Sequence, residues 1–310
     1  MIGSPTIMES SKLSVLFIIV AASLWGVIGV FSRLLNDAGL TSMQTTEVRC
    51  FITASIMAIV LLIKDKNLFK IDIKDIWMFI GTGLFSIVTF NILYFETAEL
   101  VSLSMTAVLL YTAPCFVMVL SAIIFKEAVT RQKILALALA FLGCIFTAGL
   151  IGGGGEFSMK GFMFGLGSGA TYSLYSIIGK FALRKYDPMT MTFYTFLVAA
   201  ASLFFISDPL YIVDVAVSSP KALLGMLGLG IFITTIPYFL YTKGLKGLDA
   251  GKASVIAFIE PMVATMAGIV IYGEALTVFN ALGIFLILMS VVLLNMNFEK
   301  KDQNASAGSE

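Results

Sequence analysis

The chain contains no histidine and few charged residues. Of its 310 residues, 13% are charged and 59% are hydrophobic. A soluble domain has about a quarter of its residues charged, so this chain has too little polar surface to face water all round and belongs in a lipid bilayer. The lack of histidine removes the commonest metal ligand and general base, which argues against an enzyme.

Cysteine is also scarce, and the net charge is close to zero. Cys50, Cys115 and Cys144 all lie in apolar runs, so the sequence predicts no disulfide framework and no zinc site. A net charge of +1 gives no basis for binding nucleic acid. We therefore expect neither a nucleic acid partner nor a cofactor.

Long apolar runs dominate what is present. A membrane-spanning helix needs about 20 mostly apolar residues, and the sequence contains ten such runs. They cover 13–32, 43–63, 76–95, 100–125, 134–151, 161–179, 188–207, 222–242, 253–273 and 275–298. The sequence therefore predicts an all-α membrane protein with ten transmembrane helices. The polar tail at 299–310 is expected to be disordered and cytoplasmic.

One stretch of the chain occurs twice. Residues 109–130, LLYTAPCFVMVLSAIIFKEAVT, return 147 positions later at 256–277 as IAFIEPMVATMAGIVIYGEALT. The same offset places Pro114 on Pro261, Glu127 on Glu274, Trp25 on Tyr172, Arg33 on Lys180 and Tyr94 on Tyr241. A proline at the same place in both copies indicates a helix duplicated together with its kink. Matched interrupted helices point to a binding site between two repeats.

The charges of the loops predict the orientation of the two copies. With the N-terminus inside, 16 of the 20 Lys and Arg residues lie on the cytoplasmic side, as the positive-inside rule requires. Five helices per copy is an odd number, so the second copy enters the membrane upside down. Glu96 and Glu99, outside, then fall on Lys243 and Lys246, inside. The sequence predicts two inverted five-helix repeats, at 12–151 and 160–298, with both termini cytoplasmic.

Together these features resemble the drug/metabolite transporter superfamily, specifically its EamA type. The resemblance covers residues 13 to 297. It rests on the five-plus-five spans, on the proline helix that ends in a Gly-Glu-like step, on Trp25 and Tyr172 in helices one and six, and on the helix of Arg49. The chain departs from the family pattern at Lys126, where a glycine usually precedes the glutamate. The resemblance implies a central cavity lined by both repeats, no ATP site, and movement of small metabolites.

Two ionisable groups within the runs are candidates for function. Glu260 lies in the ninth run, and a carboxylate at the bilayer centre costs at least about 2.5 kcal/mol to insert, so it normally faces a partner or a water-filled cavity. It is a candidate to bind a substrate amine or a proton. The alternative is a protonated glutamate bonded to carbonyls freed near Pro261. Arg49, close to Glu47, either binds a substrate carboxylate, reaches the headgroups or pairs with another helix.

A band of polar and aromatic side chains recurs in the middle of the helices, and tyrosine offers both a ring and a hydroxyl. The predicted substrate-binding residues are Trp25, Asn91, Tyr94, Tyr111, Tyr172, Tyr175, Tyr238, Tyr241 and Glu260. We expect roughly half of the band to line a cavity and the rest to belong to interfacial belts. Helices one, three, four, six, eight and nine are expected to surround that cavity.

Three prolines and two glutamates have alternative interpretations. Pro114, Pro237 and Pro261 are candidate hinges for a conformational change, or static kinks satisfied by neighbouring groups. Glu127 and Glu274 lie between one run and the next, where a glutamate favours the start of a helix. Capping of a helix is therefore one interpretation of these glutamates, and proton coupling is the other.

From the sequence we predict a secondary transporter in the bacterial plasma (inner) membrane. It is expected to export small organic metabolites, amino acids or related compounds, by alternating access through a central cavity. The alternative is an exporter of cationic drug-like amines. The expected partners are the small-molecule substrate, the bilayer and, as a candidate, a coupled proton, with the chain a monomer or homodimer. An intramembrane enzyme would need a nucleophile–base pair or a metal cluster within the spans, and a receptor would bind a ligand without flux.

Overall fold

A computed structural model describes residues 7–149 and 158–296, and the regular elements within these ranges are all helical. The α-helices are α1 Ile7–Gly26, α2 Ile28–Asp37, α3 Ser42–Lys64, α4 Ile76–Ile80, α5 Thr89–Leu100, α6 Leu103–Leu110, α7 Ala113–Phe125, α8 Arg131–Thr147, α9 Met159–Ala182, α10 Pro188–Leu203, α11 Pro209–Ser218, α12 Pro220–Gly230, α13 Ile236–Gly247, α14 Ala250–Ile256, α15 Ile259–Tyr272 and α16 Val278–Asn295. The predicted tail at 299–310 and the glycine run at 152–155 lie outside the described residues.

Seven helical stretches are long and apolar enough to cross a membrane. They are Ser11–Asp37, Ser42–Lys64, Ile73–Leu100, Leu103–Phe125, Pro220–Gly247, Ala250–Tyr272 and Val278–Asn295. The protein is therefore an all-helical, multi-pass membrane protein. Three of the ten predicted runs correspond to α8, α9 and α10, which fall outside this group. Helices α8 and α10 have only 17 and 16 residues, and α9 is rich in glycine and serine. Helix α11 was not predicted.

Two of the spans are interrupted at matching places. In the span Leu103–Phe125, two residues lie between the end of α6 and the start of α7. In the span Ala250–Tyr272, two residues likewise separate α14 from α15. Pro114 and Pro261 each lie in the first turn of the second half. Proline is tolerated in a first turn because its missing N–H would have no partner within the helix. Pro114 and Pro261 therefore each mark a break between two helical segments.

Two further spans contain π-helical turns, which the sequence did not predict. The segment Gly81–Val88 joins α4 to α5, and Ile231–Thr235 joins α12 to α13. Shifted back by 147 positions, the second segment falls within the first. The hydroxyls of Thr89 and Thr235 donate to carbonyl oxygens five residues earlier, at 3.0 and 2.8 Å. A π turn rotates the side chains that follow it and is frequent at functional sites.

The residue that ends α7 and the residue that ends α15 share a left-handed backbone. Lys126 has a φ of 56° and Gly273 a φ of 69°. Only glycine adopts this conformation without a steric penalty from Cβ. The helix end therefore explains the family's glycine, and Lys126 keeps the conformation at a cost.

Lys126→Gly should raise the thermal stability of the protein. A left-handed residue that carries a side chain costs about 1–2 kcal/mol. Glycine avoids this cost, but its larger loss of backbone entropy on folding offsets about 0.5–1 kcal/mol of the gain. The expected gain is therefore up to about 1.5 kcal/mol, measured as the unfolding midpoint of the purified protein in detergent. Lys126→Ala, the control, should show no gain. A glycine variant no more stable than the alanine variant would contradict this account.

Helix α1 approaches α15 closely enough to require a glycine. A Cβ added at Gly26 would lie 2.7 Å from the Cβ of Val263 and 2.8 Å from the backbone oxygen of Glu260. Both distances are shorter than ordinary contacts, so any side chain at this position must push the two helices apart. Gly26 therefore fixes where the first turn of α15, which carries Glu260, sits against α1.

Gly26→Ala should destabilise the protein by about 1–3 kcal/mol, the usual cost of overpacking. Gly29→Ala on α2 is a matched control, because nothing lies within 4 Å of a Cβ added there. The measurement compares the unfolding midpoints of the two variants in detergent. Equal midpoints would show that α1 and α15 are not in close contact.

Candidate functional site

A cavity of about 480 Å³ lies between the helices. Asn36 at the end of α2, Ser42 at the start of α3 and Leu103 at the start of α6 line one side of it, and we call this end of the bundle the open end. Deeper in the spans it reaches Trp25 and Glu260. The opposite end, which carries Glu127, Lys180 and Ala250, is called the closed end, and none of these three residues lines the cavity.

The structure brings most of the predicted binding residues together. Trp25, Asn91, Tyr94, Tyr172, Tyr238 and Glu260 line the cavity. A second pocket of about 30 Å³ shares Tyr172 and Glu260 with it and is also lined by Tyr111 and Tyr241. Tyr175 lines neither: it is buried, its hydroxyl lies 2.7 Å from the Thr242 hydroxyl, and its ring packs on Tyr238. Tyr175 therefore lies behind the cavity wall, with its ring packed against α13.

Glu260 lies at the break between α14 and α15. It occupies the first turn of α15, where the unpaired N–H groups and the helix dipole favour a negative charge. Tyr111, at the matching break between α6 and α7, lines the same small pocket as Glu260. The two interrupted spans therefore contribute a carboxylate and a phenol to the same place.

Arg49 lines the same cavity, although it was not among the predicted binding residues. Its side chain is only 6% exposed, and its Nη2 donates to Asn91 Oδ1 at 3.0 Å. Asn91 Nδ2 in turn donates to the Ile87 carbonyl at 2.7 Å, in the π-helical segment. Asn91, on α5, therefore holds the guanidinium in place.

A depth calculation would have identified Arg49. It is the eighth residue of α3, so it lies about 10 Å below the start of the helix at 1.5 Å per residue. At that distance from the helix start, Arg49 lies well inside the span Ser42–Lys64. The expectation that helices one, three, four, six, eight and nine surround the cavity is also incomplete, because Thr45, Thr46 and Arg49 bring span two into its wall.

The aromatic wall of the cavity comes from both halves of the chain. Trp25 packs on Tyr238 and Tyr241, with ring centroids 4.9 and 5.3 Å apart. Phe90 packs on Tyr172 at 5.1 Å. The Trp25 Nε1 is buried and has no hydrogen-bond acceptor among the described residues. Buried donors are normally paired, so this indole is a candidate contact for an acceptor on a bound molecule.

A cluster of charged and phenolic groups joins two loops away from the cavity. Lys185, between α9 and α10, donates to the carboxylates of Asp72 and Asp75 in the loop after α3. These hydrogen bonds raise the pKa of the Lys185 ammonium above its usual value. The Tyr186 hydroxyl also donates to Asp75, at 2.5 Å. The cluster ties the loops of the closed end together and does not contribute to the cavity.

A comparison with protein families matches the chain twice to one model. The model is described as the EamA-like transporter family, and it covers residues 12–149 and 159–296. A protein of Archaeoglobus fulgidus, named an uncharacterized transporter, is 28% identical over 276 residues, which cover 89% of this chain and 94% of that protein. The uncharacterized transporter YwfM of Bacillus subtilis is 24% identical over 285 residues, covering 90% and 93%.

A solved structure shares the fold. It is named only "Crystal structure of protein", and it superposes with a TM-score of 0.78 at 18% sequence identity. The match covers 92% of this chain and 96% of the other. At this identity the likeness concerns the arrangement of the helices alone.

Proposed function

This chain belongs to the EamA-like transporter family, and from that premise we propose that it is a secondary transporter that exports small zwitterionic metabolites, amino acids or related compounds, across the bacterial inner membrane. Membership in the family and the names of the relatives support transport. The substrate class, the direction and the driving force are the proposal. A coupled proton is a candidate partner, with Glu260 as the group that would carry it.

One observation carries the choice of substrate. The cavity holds a guanidinium, Arg49, and a carboxylate, Glu260, on different spans. A free amino acid carries a carboxylate and an ammonium, and these two groups complement Arg49 and Glu260 respectively. The tyrosine and tryptophan rings that line the same cavity suit an apolar side chain. A cationic amine without a carboxylate would leave the buried Arg49 without a counter-ion from the ligand.

Ten crossings, as two inverted repeats, are the topology that we propose. In this proposal the seven long spans are supplemented by α8, α9 and α10, which supply the other three crossings. The paired left-handed helix ends recur at an offset of 147 residues, the paired breaks recur within one residue of it, and the paired π turns end at the same offset. Such paired features support a duplication. The repeats at 12–151 and 160–298 remain the proposed units.

The orientation follows from charge. If the closed end faces the cytoplasm, it carries the lysine-rich loops and the open end faces outward. Both termini then lie inside. In this orientation the structure corresponds to an outward-open state, and export requires a second state in which the cavity opens at the closed end.

The proposal is tested with purified protein in detergent and in liposomes. Binding of a ligand to the folded state raises the unfolding midpoint, so a panel of amino acids, simple amines, simple carboxylates and quaternary cations identifies the ligand class. The hits are then loaded into liposomes for counterflow of radiolabelled substrate. Stabilisation and flux with amino acids support the proposal. Stabilisation by bulky cations alone would favour the amine exporter, and binding without flux would favour a receptor.

A further inference from the structure

At the closed end, a glutamate from one half of the chain binds the start of a span from the other half. The carboxylate of Glu127, just after α7, accepts hydrogen bonds from the backbone N–H groups of Ala250 and Gly251, at 3.0 and 3.3 Å. Lys133 forms an ion pair with Asp249 at 2.9 Å in the same place. These contacts hold the beginning of the span Ala250–Tyr272 against the end of α7 and the start of α8.

At the open end, the matching glutamate makes no such contact. Shifting Glu127, Ala250 and Gly251 by 147 positions gives Glu274, Leu103 and Ser104. Glu274 is exposed. Its carboxylate forms no hydrogen bond or ion pair with any of the described residues. That carboxylate instead folds back over Gly268, where an added Cβ would collide with its Oε2. The side chain of Leu103 is 73% exposed.

A second pair of matched residues shows the same difference. Lys180, near the end of α9, donates to the backbone carbonyls of Leu245 and Leu248 at the end of α13. The residue that matches Lys180 is Arg33. Instead of reaching the carbonyls at the end of α5, Arg33 places its guanidinium over the ring of Tyr272, 4.1 Å from its centroid. The matching described residues at the open end therefore form neither of the two contacts seen at the closed end.

We propose that Glu127 and Glu274 are alternating gate residues of the transport cycle. In the present state, Glu127 binds the start of α14 and closes one end. In the opposite state, Glu274 binds the N–H groups of Leu103 and Ser104, and Glu127 releases α14. This inference rests on the proposed alternating-access function but does not depend on the identity of the substrate.

The helix surfaces beside the two glutamates carry matching small residues. A Cβ added at Gly251 would lie 3.6 Å from Ser121 Oγ, so α14 and α7 already pack closely at the closed end. The matching pair at the open end is Ser104 and Gly268, again one serine and one glycine. The space over Gly268 is filled by the Glu274 carboxylate, which must leave when Ser104 approaches. When the open end closes, α6 therefore takes the space over Gly268 that the Glu274 carboxylate occupies in the present state.

Two cysteine pairs report the two states. In a background in which Cys50, Cys115 and Cys144 are replaced by alanine, Ser121→Cys with Gly251→Cys should form a disulfide in the present state, because a Cβ added at Gly251 lies 3.6 Å from Ser121 Oγ and the two side chains are therefore in contact. Ser104→Cys with Gly268→Cys should form a disulfide only in the opposite state. The ratio of the two crosslinks, measured by gel mobility in liposomes without substrate, reports the balance between the states.

Glu127→Gln should shift this ratio about tenfold toward the Ser104–Gly268 pair, because it removes charge-assisted hydrogen bonds from the present state alone. Glu274→Gln should shift it in the other direction. Glu96→Gln, which neutralises an exposed carboxylate on α5, is the control and should leave the ratio unchanged. Glu127→Asp should restore part of the loss, because it keeps the charge. Size-exclusion elution at the native position confirms that each variant is folded.

Opposite shifts in Glu127→Gln and Glu274→Gln support the inference even if no amino acid is transported. Equal shifts, or no shift in either variant of a protein that carries out counterflow, would overturn it. In that case the proposed transport function would stand while the role of the two glutamates would fall.

Discussion

Replacing Glu260 by glutamine is expected to weaken the binding of a zwitterionic amino acid by about 30-fold or more. Removing one partner of a buried, hydrogen-bonded charge pair costs about 2–5 kcal/mol, and 1.4 kcal/mol corresponds to a tenfold change in affinity. The substitution keeps the size of the side chain, so the shape of the cavity wall is retained. What is lost is the negative charge that the start of α15 stabilises and that the substrate ammonium would meet.

The measurement is a titration of the purified variant by thermal shift, with Glu96→Gln as the control for loss of a carboxylate elsewhere. Binding of a simple carboxylate that lacks an ammonium should be little affected by Glu260→Gln. If the amino acid binds equally well to the variant and to the wild type, Glu260 is not its ammonium site.

The same variant tests proton coupling. If Glu260 carries the coupled proton, transport by Glu260→Gln should lose its dependence on pH, because a glutamine has no proton to exchange. Counterflow is measured in liposomes at several values of pH for the variant and the wild type. A pH dependence that survives unchanged would sink the idea that Glu260 couples transport to protons.

Replacing Arg49 by glutamine is expected to have a comparable effect at the other end of the substrate. The guanidinium is buried, is held by Asn91 and offers planar donors that match a carboxylate. Its loss should lower amino-acid affinity by about 30-fold or more, on the same scale of about 2–5 kcal/mol. Arg49→Lys should recover little of this loss, because an ammonium cannot form the same paired donors.

Substrate analogues separate the two residues. A simple amine should lose affinity in Glu260→Gln and not in Arg49→Gln, whereas a simple carboxylate should show the reverse. Asn91→Ala should weaken carboxylate binding less than Arg49→Gln does, because it removes the group that positions the guanidinium and leaves the charge. An amine whose affinity falls equally in both charge variants would contradict this division of roles.

Much of the fold could be predicted because apolar runs, prolines and repeats are local properties of the chain. The seven long spans all coincide with predicted runs, and the breaks in two of them fall beside Pro114 and Pro261. The bounds moved by several residues because helix ends depend on caps, such as Thr41, whose hydroxyl accepts from Gln44 N at 3.2 Å. Helix α11 was missed because a short apolar segment between two spans has no distinctive period of its own.

The site was only partly predictable. Polar and aromatic residues in the middle of apolar runs are evident from the sequence, and most of the predicted residues line the cavity or the pocket beside it. Tyr175 and Tyr172 lie three residues apart on α9 and cannot be told apart by type, yet only Tyr172 lines the cavity. Arg49 had several interpretations until its depth and its bond to Asn91 were known.

The sequence by itself determined the class of protein, the seven long spans, the duplicated proline helices and the presence of a carboxylate within a span, since each is set by residue type and spacing along one helix. Only the tertiary structure decided that Arg49 shares a cavity with Glu260, that π turns precede the cavity residues Asn91 and Tyr238, and that Glu127 is engaged while Glu274 is not. These depend on how separate helices pack, and in a lipid-embedded bundle packing is set by contacts between residues far apart in the chain.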